Sequence, residues 1–360
     1  MIIKKYHSYI IRVFYNNLAI VSLVFLSLSF LLNIFEEIKF FEYIEVSILL
    51  PIGLTLLNIP TIFFELLPFV FLISSMFFFI YLNEKNELII LKNNGINNSK
   101  IIFNLCFVTL FFGLFLIFFY YTFSSNLKNT YLNLKNKFSN ENEYLAVVNE
   151  NGLWLREDLG NSVNIINAKT FKEDVITKIT ISNLDKNYNI IKTIVSEKAD
   201  ITSKVWRLEK VKIYDPNKPN KLFESFNYYS SLDGEIISNL FSNLNSLNLF
   251  QLHNQIKNYN RLGYSSTDAK VHLNKIYSLP INLVLMTIIG SMLMLKFKFI
   301  KSRFFMLVIG VFFSVIIYYI NYFSKLFGSN ETLPVELSIW LPHVILVLMC
   351  FLGLIKINEK

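Results

Sequence analysis

The sequence is poor in several residue types that soluble enzymes and secreted domains use. Its 360 residues include only two cysteines and four histidines, and just 17% are charged. Both cysteines, Cys106 and Cys350, lie within long apolar runs, which excludes a disulfide from the polar region between them. The sequence has no phosphate-binding loop, because "GINNSK" lacks the second glycine and the Lys-Ser/Thr pair of such a loop. Any ATP that this protein uses is therefore expected to be hydrolysed by another chain.

Patterns for metal binding and acid-base catalysis are also missing. The histidines are widely separated and none is paired at metal-ligand spacing, so each is expected to be structural or interfacial. They are His7, His253, His272 and His343. Acidic residues of the polar region alternate with polar neighbours or lie in turns, which predicts a solvated strand face. They include Glu157, Asp158, Asp200 and Asp215. The sequence therefore argues against an enzyme and predicts no metal or cofactor of its own.

Apolar residues dominate instead, since 53% of the chain is hydrophobic, with 36 phenylalanines and a mean hydropathy of +0.45. A helix needs about 20 apolar residues to cross a bilayer core of ~30 Å. Six runs approach that length, and the first is too long for a cleaved signal peptide. The predicted spans are Ile10–Leu32, Thr61–Leu82, Ile101–Phe123, Tyr277–Leu295, Phe304–Phe323 and Leu337–Ile355. Their interiors contain almost no ionisable residue, which disfavours an ion relay.

The basic residues beside the spans predict the orientation of the chain. The loop "KFKFIKSR" at 296–303 contains no acid, and lysines also flank the second and third spans, whereas "NIFEEIKFFEYIE" is net acidic. Because basic flanks stay in the cytoplasm, both termini are expected there, and residues 124–275 are expected outside. These loops also account for much of the +8 net charge, so nucleic-acid binding is not expected.

The polar region changes texture from about residue 143, where short runs such as "ITKITIS" and "VWRLEKVKIYD" alternate with period two. This alternation predicts antiparallel strands in a sandwich, jelly roll or open barrel at about 141–245. The predicted fold class is an α-helical membrane protein with two groups of three spans around an extracytoplasmic all-β domain. Its divisions fall at 1–123, 124–275 and 276–360. A β-domain that only spaces or docks remains an alternative to one that handles a ligand.

A short apolar patch between the second and third spans needs a separate explanation. In "NELIILKNNGINNSK", at 86–100, residues 83–94 favour a helix that Asn94-Gly95 would end. On such a helix Leu88 and Leu91 lie beside Glu87, which gives an apolar face with a carboxylate at its edge. This face either dips into the lipid interface or enters a socket in a soluble partner.

The segment "NELIILKNNGI" resembles the coupling segment of the LptF/LptG permeases of lipopolysaccharide export. Four further segments follow in the order found in LptG: "NGLWLRED", "VWRLEKV", "LHNQIKNY" and "LPVELSIWLPHVIL". The resemblance therefore covers essentially the whole chain and is nearer LptG than LptF. It implies an inner-membrane half-transporter with a periplasmic β-jellyroll domain. The implied partners are an LptB-like ABC ATPase dimer that binds ATP, an LptF-like permease, an LptC-like single-span subunit, lipopolysaccharide and membrane lipid.

The resemblance also implies roles for particular residues. Glu87 matches the glutamate of the coupling helix, which pairs with a basic residue of the ATPase, and Leu88, Leu91 and Gly95 belong to the same segment. Three lysines match or approach positions that hold lipid A phosphates in the family, namely Lys39, Lys128 and Lys135. For Lys39, a role as an ordinary interfacial lysine that snorkels to the membrane surface remains open. The chain departs from the LptG pattern nearby, at Asn33, Glu36, Glu37 and Phe40.

Two other functions remain open at this point. A lipoprotein-release type ABC subunit would normally have four spans and a larger outer domain after the first. A membrane-anchored scaffold or receptor would use the β-domain only to bind a partner. It would not need the coupling helix, so a change at Glu87 would leave it intact.

Overall fold

A computed structural model describes residues 2–138, 153–158, 162–172, 174–185, 189–216, 218–234, 237, 243–262, 264–296 and 303–358. The chain divides into two compact units. One comprises Met1–Lys128 with Lys270–Lys360, and the other comprises Asn129–Ala269. The predicted strand "EYLAVV" and most of the basic loop at 296–303 lie outside the described residues.

Six helices among the described residues are long and apolar enough to cross a membrane, which confirms the predicted spans. Several extend well beyond the apolar runs, because polar ends continue the helical hydrogen bonding. In chain order the helices are α1 (Ile2–Phe40), α2 (Leu49–Glu84), α3 (Glu87–Asn93), α4 (Asn98–Phe115), α5 (Tyr121–Asn136), α6 (Leu249–Leu262), α7 (Thr267–Lys296), α8 (Arg303–Ser329) and α9 (Val335–Asn358). A π-helical turn at Leu116–Tyr120 joins α4 to α5 in one long span.

Small residues bring the long helices close together. A side-chain carbon at Gly290 of α7 would overlap the backbone carbonyl of Leu72 and the hydroxyl of Ser75 in α2. A carbon at Gly113 of α4 would lie 2.8 Å from the Cα of Pro280 in α7. Such close approaches increase van der Waals contact between spans, which is the main source of helix association in lipid. Among the six spanning helices, α1 and α8 are the least buried: only 22% of the residues in the most apolar stretch of each are buried within the protein.

The described part of the second unit contains a seven-stranded antiparallel sheet, which confirms the predicted central all-β region. The strands are β1 (Leu153–Asp158), β2 (Val163–Ala168), β3 (Thr170–Lys172), β4 (Val175–Leu184), β5 (Ile190–Asp200), β6 (Val205–Asp215) and β7 (Lys218–Tyr229). Their order is β1-β2-β4-β5-β6-β7, with β3 paired to β4. Alternate residues of β2 are buried, as the period of two predicts. The core includes fully buried Trp206, whose indole N–H donates to the Leu232 carbonyl at 2.8 Å.

Glu157 of β1 is fully buried, which corrects the prediction of a solvated strand face. Its carboxylate accepts hydrogen bonds from Asn164 at 3.1 Å, Tyr228 at 3.3 Å, Ser230 at 3.1 Å and the backbone N–H of Ser231. Burial raises the pKa of Glu157, but the hydrogen bonds from Ser231, Asn164 and Ser230 together outweigh burial and hold the pKa below its ordinary value. Because Glu157 lies in β1 and Tyr228 in β7, the sheet curls until its first and last strands meet through side chains.

Candidate functional site

The short helix α3 has a defined start and a defined end. Asn86, immediately before it, has a φ of +56°, a left-handed conformation that asparagine tolerates better than most residues. At its other end the Ile96 N–H donates to the Leu91 carbonyl at 3.0 Å, and the Gly95 N–H donates to the Lys92 carbonyl at 2.9 Å. These two bonds form a Schellman motif, in which Gly95 adopts a φ of +76°. The turn chemistry therefore limits α3 to two turns.

The side chains of α3 face in different directions from those expected. Leu88 is only 4% exposed and packs against its own chain, and Leu91 is half-buried. The exposed apolar residues are Ile89 at 47% and Ile90 at 57%, which sequence reasoning did not select. Helical spacing shows which residues share a face, but only the tertiary neighbours decide which face is covered. Glu87 is half-exposed at the start of this helix.

Glu87 is held by a residue that sequence reasoning gave no role. The Tyr9 hydroxyl of α1 donates to Glu87 Oε2 at 2.6 Å, across 78 residues of sequence. Tyr81, in the last turn of α2, also interacts with the Tyr9 hydroxyl. Residues from three helices therefore meet around the Tyr9 hydroxyl, although no local sequence signal links them.

A chain of side-chain hydrogen bonds connects three spans at Lys128. The Lys128 ammonium of α5 donates to Asn58 Oδ1 of α2 at 2.7 Å. The Asn58 amide donates to Asn33 Oδ1 of α1 at 3.3 Å, and the Asn33 amide donates to Glu36 Oε2 at 3.3 Å. Both asparagines are buried, so their amides bring polar partners into an otherwise apolar region. Asn33 thus belongs to the structure around Lys128.

The three lysines singled out from the sequence have different environments. Lys39 is exposed in the last turn of α1. Lys128 is half-buried and bound to Asn58. Lys135 is 6% exposed, with its ammonium 2.9 Å from the Tyr131 hydroxyl and 5.3 Å from the centre of that ring. Of the three, only Lys39 has an exposed side chain.

The second predicted span contains an ion pair that sequence reasoning missed. Glu65 of α2 and Lys275 of α7 approach to 3.5 Å, and both side chains are roughly half exposed. A charge within a span is costly unless it is paired, so Lys275 stabilises Glu65 there. The acid alone was visible in the sequence as the single charged residue within Thr61–Leu82. Its partner is more than 200 residues away, and no local pattern connects the two.

These features define a polytopic membrane protein with two groups of three spans around a β-sheet region and a short helix with exposed apolar residues. The model of the family described as lipopolysaccharide export system permease LptF/LptG matches residues 8–356. The chain belongs to the LptF/LptG family, and is thus a multi-pass inner-membrane permease component of lipopolysaccharide export. None of the curated proteins compared with the chain matches it. The family resemblance is confirmed, and the preference for LptG over LptF stays a prediction.

Proposed function

We propose that this chain is one of two permease subunits of an ABC transporter that extracts lipopolysaccharide from the inner membrane and passes it to a periplasmic bridge. ATP is hydrolysed in a separate ATPase subunit. The family match over residues 8–356 carries this proposal. The basic loops support an orientation with both termini in the cytoplasm and the sheet in the periplasm. In that orientation α3 faces the cytoplasm.

The partner of α3 is the ABC ATPase. An exposed apolar pair, Ile89 and Ile90, lies beside the half-exposed carboxylate of Glu87, which is the combination that a socket with a basic rim binds. Leu88 anchors the helix from beneath, and Gly95 ends it. Leu91 is half-buried and contributes at the margin. Because the sequence has no phosphate-binding loop, the hydrolysis that drives transport takes place in that partner.

Lys39 and Lys128 bind the phosphorylated headgroup of the substrate. Lys39 is exposed at the end of α1, and the hydrogen bond from Lys128 to Asn58 fixes the direction of its ammonium. Ammonium groups bind phosphate through charge-assisted hydrogen bonds. Lys135 is buried and bound to Tyr131, so headgroup binding is assigned to Lys39 and Lys128.

The least buried spans, α1 and α8, provide surfaces for the remaining partners. Their exposed side chains are mainly Leu, Ile, Val, Phe and Tyr, which suit lipid, acyl chains of the substrate and other membrane helices. An LptF-like permease and an LptC-like single-span subunit are the proposed helix partners. The lipoprotein-release alternative loses its support because the family match spans both groups of spans and the central sheet.

Purification of the native complex tests this function. The complex would be isolated in mild detergent through a tag on this chain, and the co-purifying proteins would be identified for the wild type and Glu87→Ala. Glu84→Ala is the matched control, since Glu84 is an exposed acid at the end of α2. We expect an ABC ATPase with the wild type and the control, and less of it with Glu87→Ala. Intact complexes that contain no ATPase would instead support the scaffold or receptor.

A further inference from the structure

The carboxylate of Glu87 is fixed by a hydrogen bond from outside its own helix. The Tyr9 hydroxyl donates to Oε2 at 2.6 Å, a length typical of a charge-assisted O–H···O⁻ bond. Tyr9 is 37% exposed and Glu87 is half-exposed, so this contact lies at the margin of the protein rather than in its core. A tyrosine side chain has two rotatable bonds, and its rigid ring holds the hydroxyl in a narrow range of positions.

The bond leaves the carboxylate able to bind a second partner. An ionised glutamate has two oxygens and about four acceptor positions, and Tyr9 uses only one of them. A lysine or arginine of another protein can therefore bind Oε1 while Tyr9 holds Oε2. Without the tyrosine hydroxyl, the free side chain would lose rotamer entropy when the partner binds. A carboxylate that is already oriented avoids part of that cost.

The same bond joins α1 to the segment that contains α3. Along the chain, α3 follows α2 and precedes α4, whereas Tyr9 belongs to α1. One helical turn before Tyr9, the Tyr6 hydroxyl accepts a hydrogen bond from Asn104 of α4 at 3.0 Å. The first turns of α1 are thus attached to both α3 and α4 through tyrosine hydroxyls. A displacement of α3 reaches α1 directly, without passing through the packed length of α2.

We propose that Tyr9 is a positioning residue that holds Glu87 in the orientation in which the ATPase partner binds it, and that it ties α1 to the partner-binding helix. This inference rests on the proposed function, because it takes Glu87 as the carboxylate that the ATPase binds. Tyr9 itself need not touch the ATPase. It acts through the carboxylate, and the α1 span responds to the partner through the same bond.

Tyr9→Phe tests the proposal, since it removes the hydroxyl and keeps the ring. The purified permease complex in nanodiscs would be titrated with the ATPase that co-purifies with the wild type. Tyr6→Phe is the matched control, because it removes a hydroxyl one turn away that binds Asn104 rather than Glu87. Glu87→Ala and the Tyr9→Phe/Glu87→Ala double variant complete a cycle. Thermal melting of the permease complex without ATPase is measured in parallel.

We expect Tyr9→Phe to weaken ATPase binding about tenfold, from the loss of a hydrogen bond to a charged group, while Tyr6→Phe has little effect. In the Glu87→Ala background, Tyr9→Phe should cause no further loss, and the melting temperature without ATPase should stay close to that of Tyr6→Phe. If Glu87→Ala weakens binding but Tyr9→Phe does not, or if the two losses add, the positioning role is wrong and the proposed function stands. If Glu87→Ala has no effect, the positioning role is wrong, and so is the assignment of Glu87 as the carboxylate that the ATPase binds.

Discussion

Replacement of Glu157 by glutamine should destabilise the sheet region by about 2 kcal/mol. Two donors approach each carboxylate oxygen, with Asn164 and Tyr228 at Oε2 and Ser230 and Ser231 at Oε1. A glutamine turns one acceptor oxygen into a donor NH₂. The two hydroxyls can rotate away, but then either the backbone N–H of Ser231 loses its acceptor, or the Asn164 amide keeps only its second bond, to the Tyr228 hydroxyl at 2.7 Å. An unsatisfied buried group costs about 1–3 kcal/mol.

Hydrogen exchange of the full-length protein in detergent measures this loss locally. A cost of about 2 kcal/mol corresponds to roughly 30-fold less protection in peptides from β1, β2 and β7, provided that they exchange through opening of this sheet. Glu224→Gln is the control, because Glu224 is an exposed acid on β7. Equal protection in the two variants would refute the assignment of Glu157 as a buried acceptor that holds the outer strands together.

The same carboxylate gives the sheet a pH dependence. Its pKa is lower in the folded protein than the ordinary value of 4.5, so it stabilises the fold above that value. This contribution falls as the pH drops through the folded pKa, because protonation removes acceptor capacity. The difference in protection between the wild type and Glu157→Gln should therefore shrink in acid below about pH 4.5. An unchanged difference at low pH would contradict the lowered pKa.

Three further predictions concern other parts of the structure. Gly290→Ala should lower the melting temperature in detergent, because the added side-chain carbon overlaps a backbone carbonyl of α2. Gly53→Ala should not lower it, because nothing lies within 4 Å of the added carbon. Equal melting temperatures in the two variants would contradict the close packing at Gly290. Gly95→Ala should cost about 1–2 kcal/mol at the end of α3, where φ is +76°, and should speed hydrogen exchange of that helix; unchanged exchange would count against the Schellman motif. Asn58→Ala should weaken lipopolysaccharide retention in nanodiscs several-fold, because it removes the acceptor that orients the Lys128 ammonium, and Lys128→Met should weaken retention more. Full retention in both variants would remove Lys128 from the proposed substrate site.

The architecture was predictable because its signals are local. A run of about 20 apolar residues requires a spanning helix wherever it occurs, and alternation with period two requires a strand with one covered face. The end of α3 was also visible in "NNG", since a glycine at this place favours the left-handed turn that ends a helix. None of these inferences needed knowledge of which helices or strands are neighbours.

The details of the sites were not predictable because their partners are distant in sequence. Asn33 and Asn58 are 25 residues apart and Lys128 lies 70 residues beyond Asn58, yet the three form one hydrogen-bonded chain. Glu157 has the sequence context of a solvated strand, and only the curl of the sheet buries it. Leu88 and Ile89 are equally apolar, so the choice of the covered side depends on tertiary packing.

In the proposed function, this chain couples ATP hydrolysis in a partner to the removal of lipopolysaccharide from the membrane. The most direct test measures release of lipopolysaccharide from proteoliposomes, which contain the purified complex, to a soluble periplasmic acceptor. We predict release that requires ATP and this chain and that falls sharply with Glu87→Ala while the permease subunits remain assembled. Release that proceeds without ATP, or at the same rate without this chain, would contradict the account.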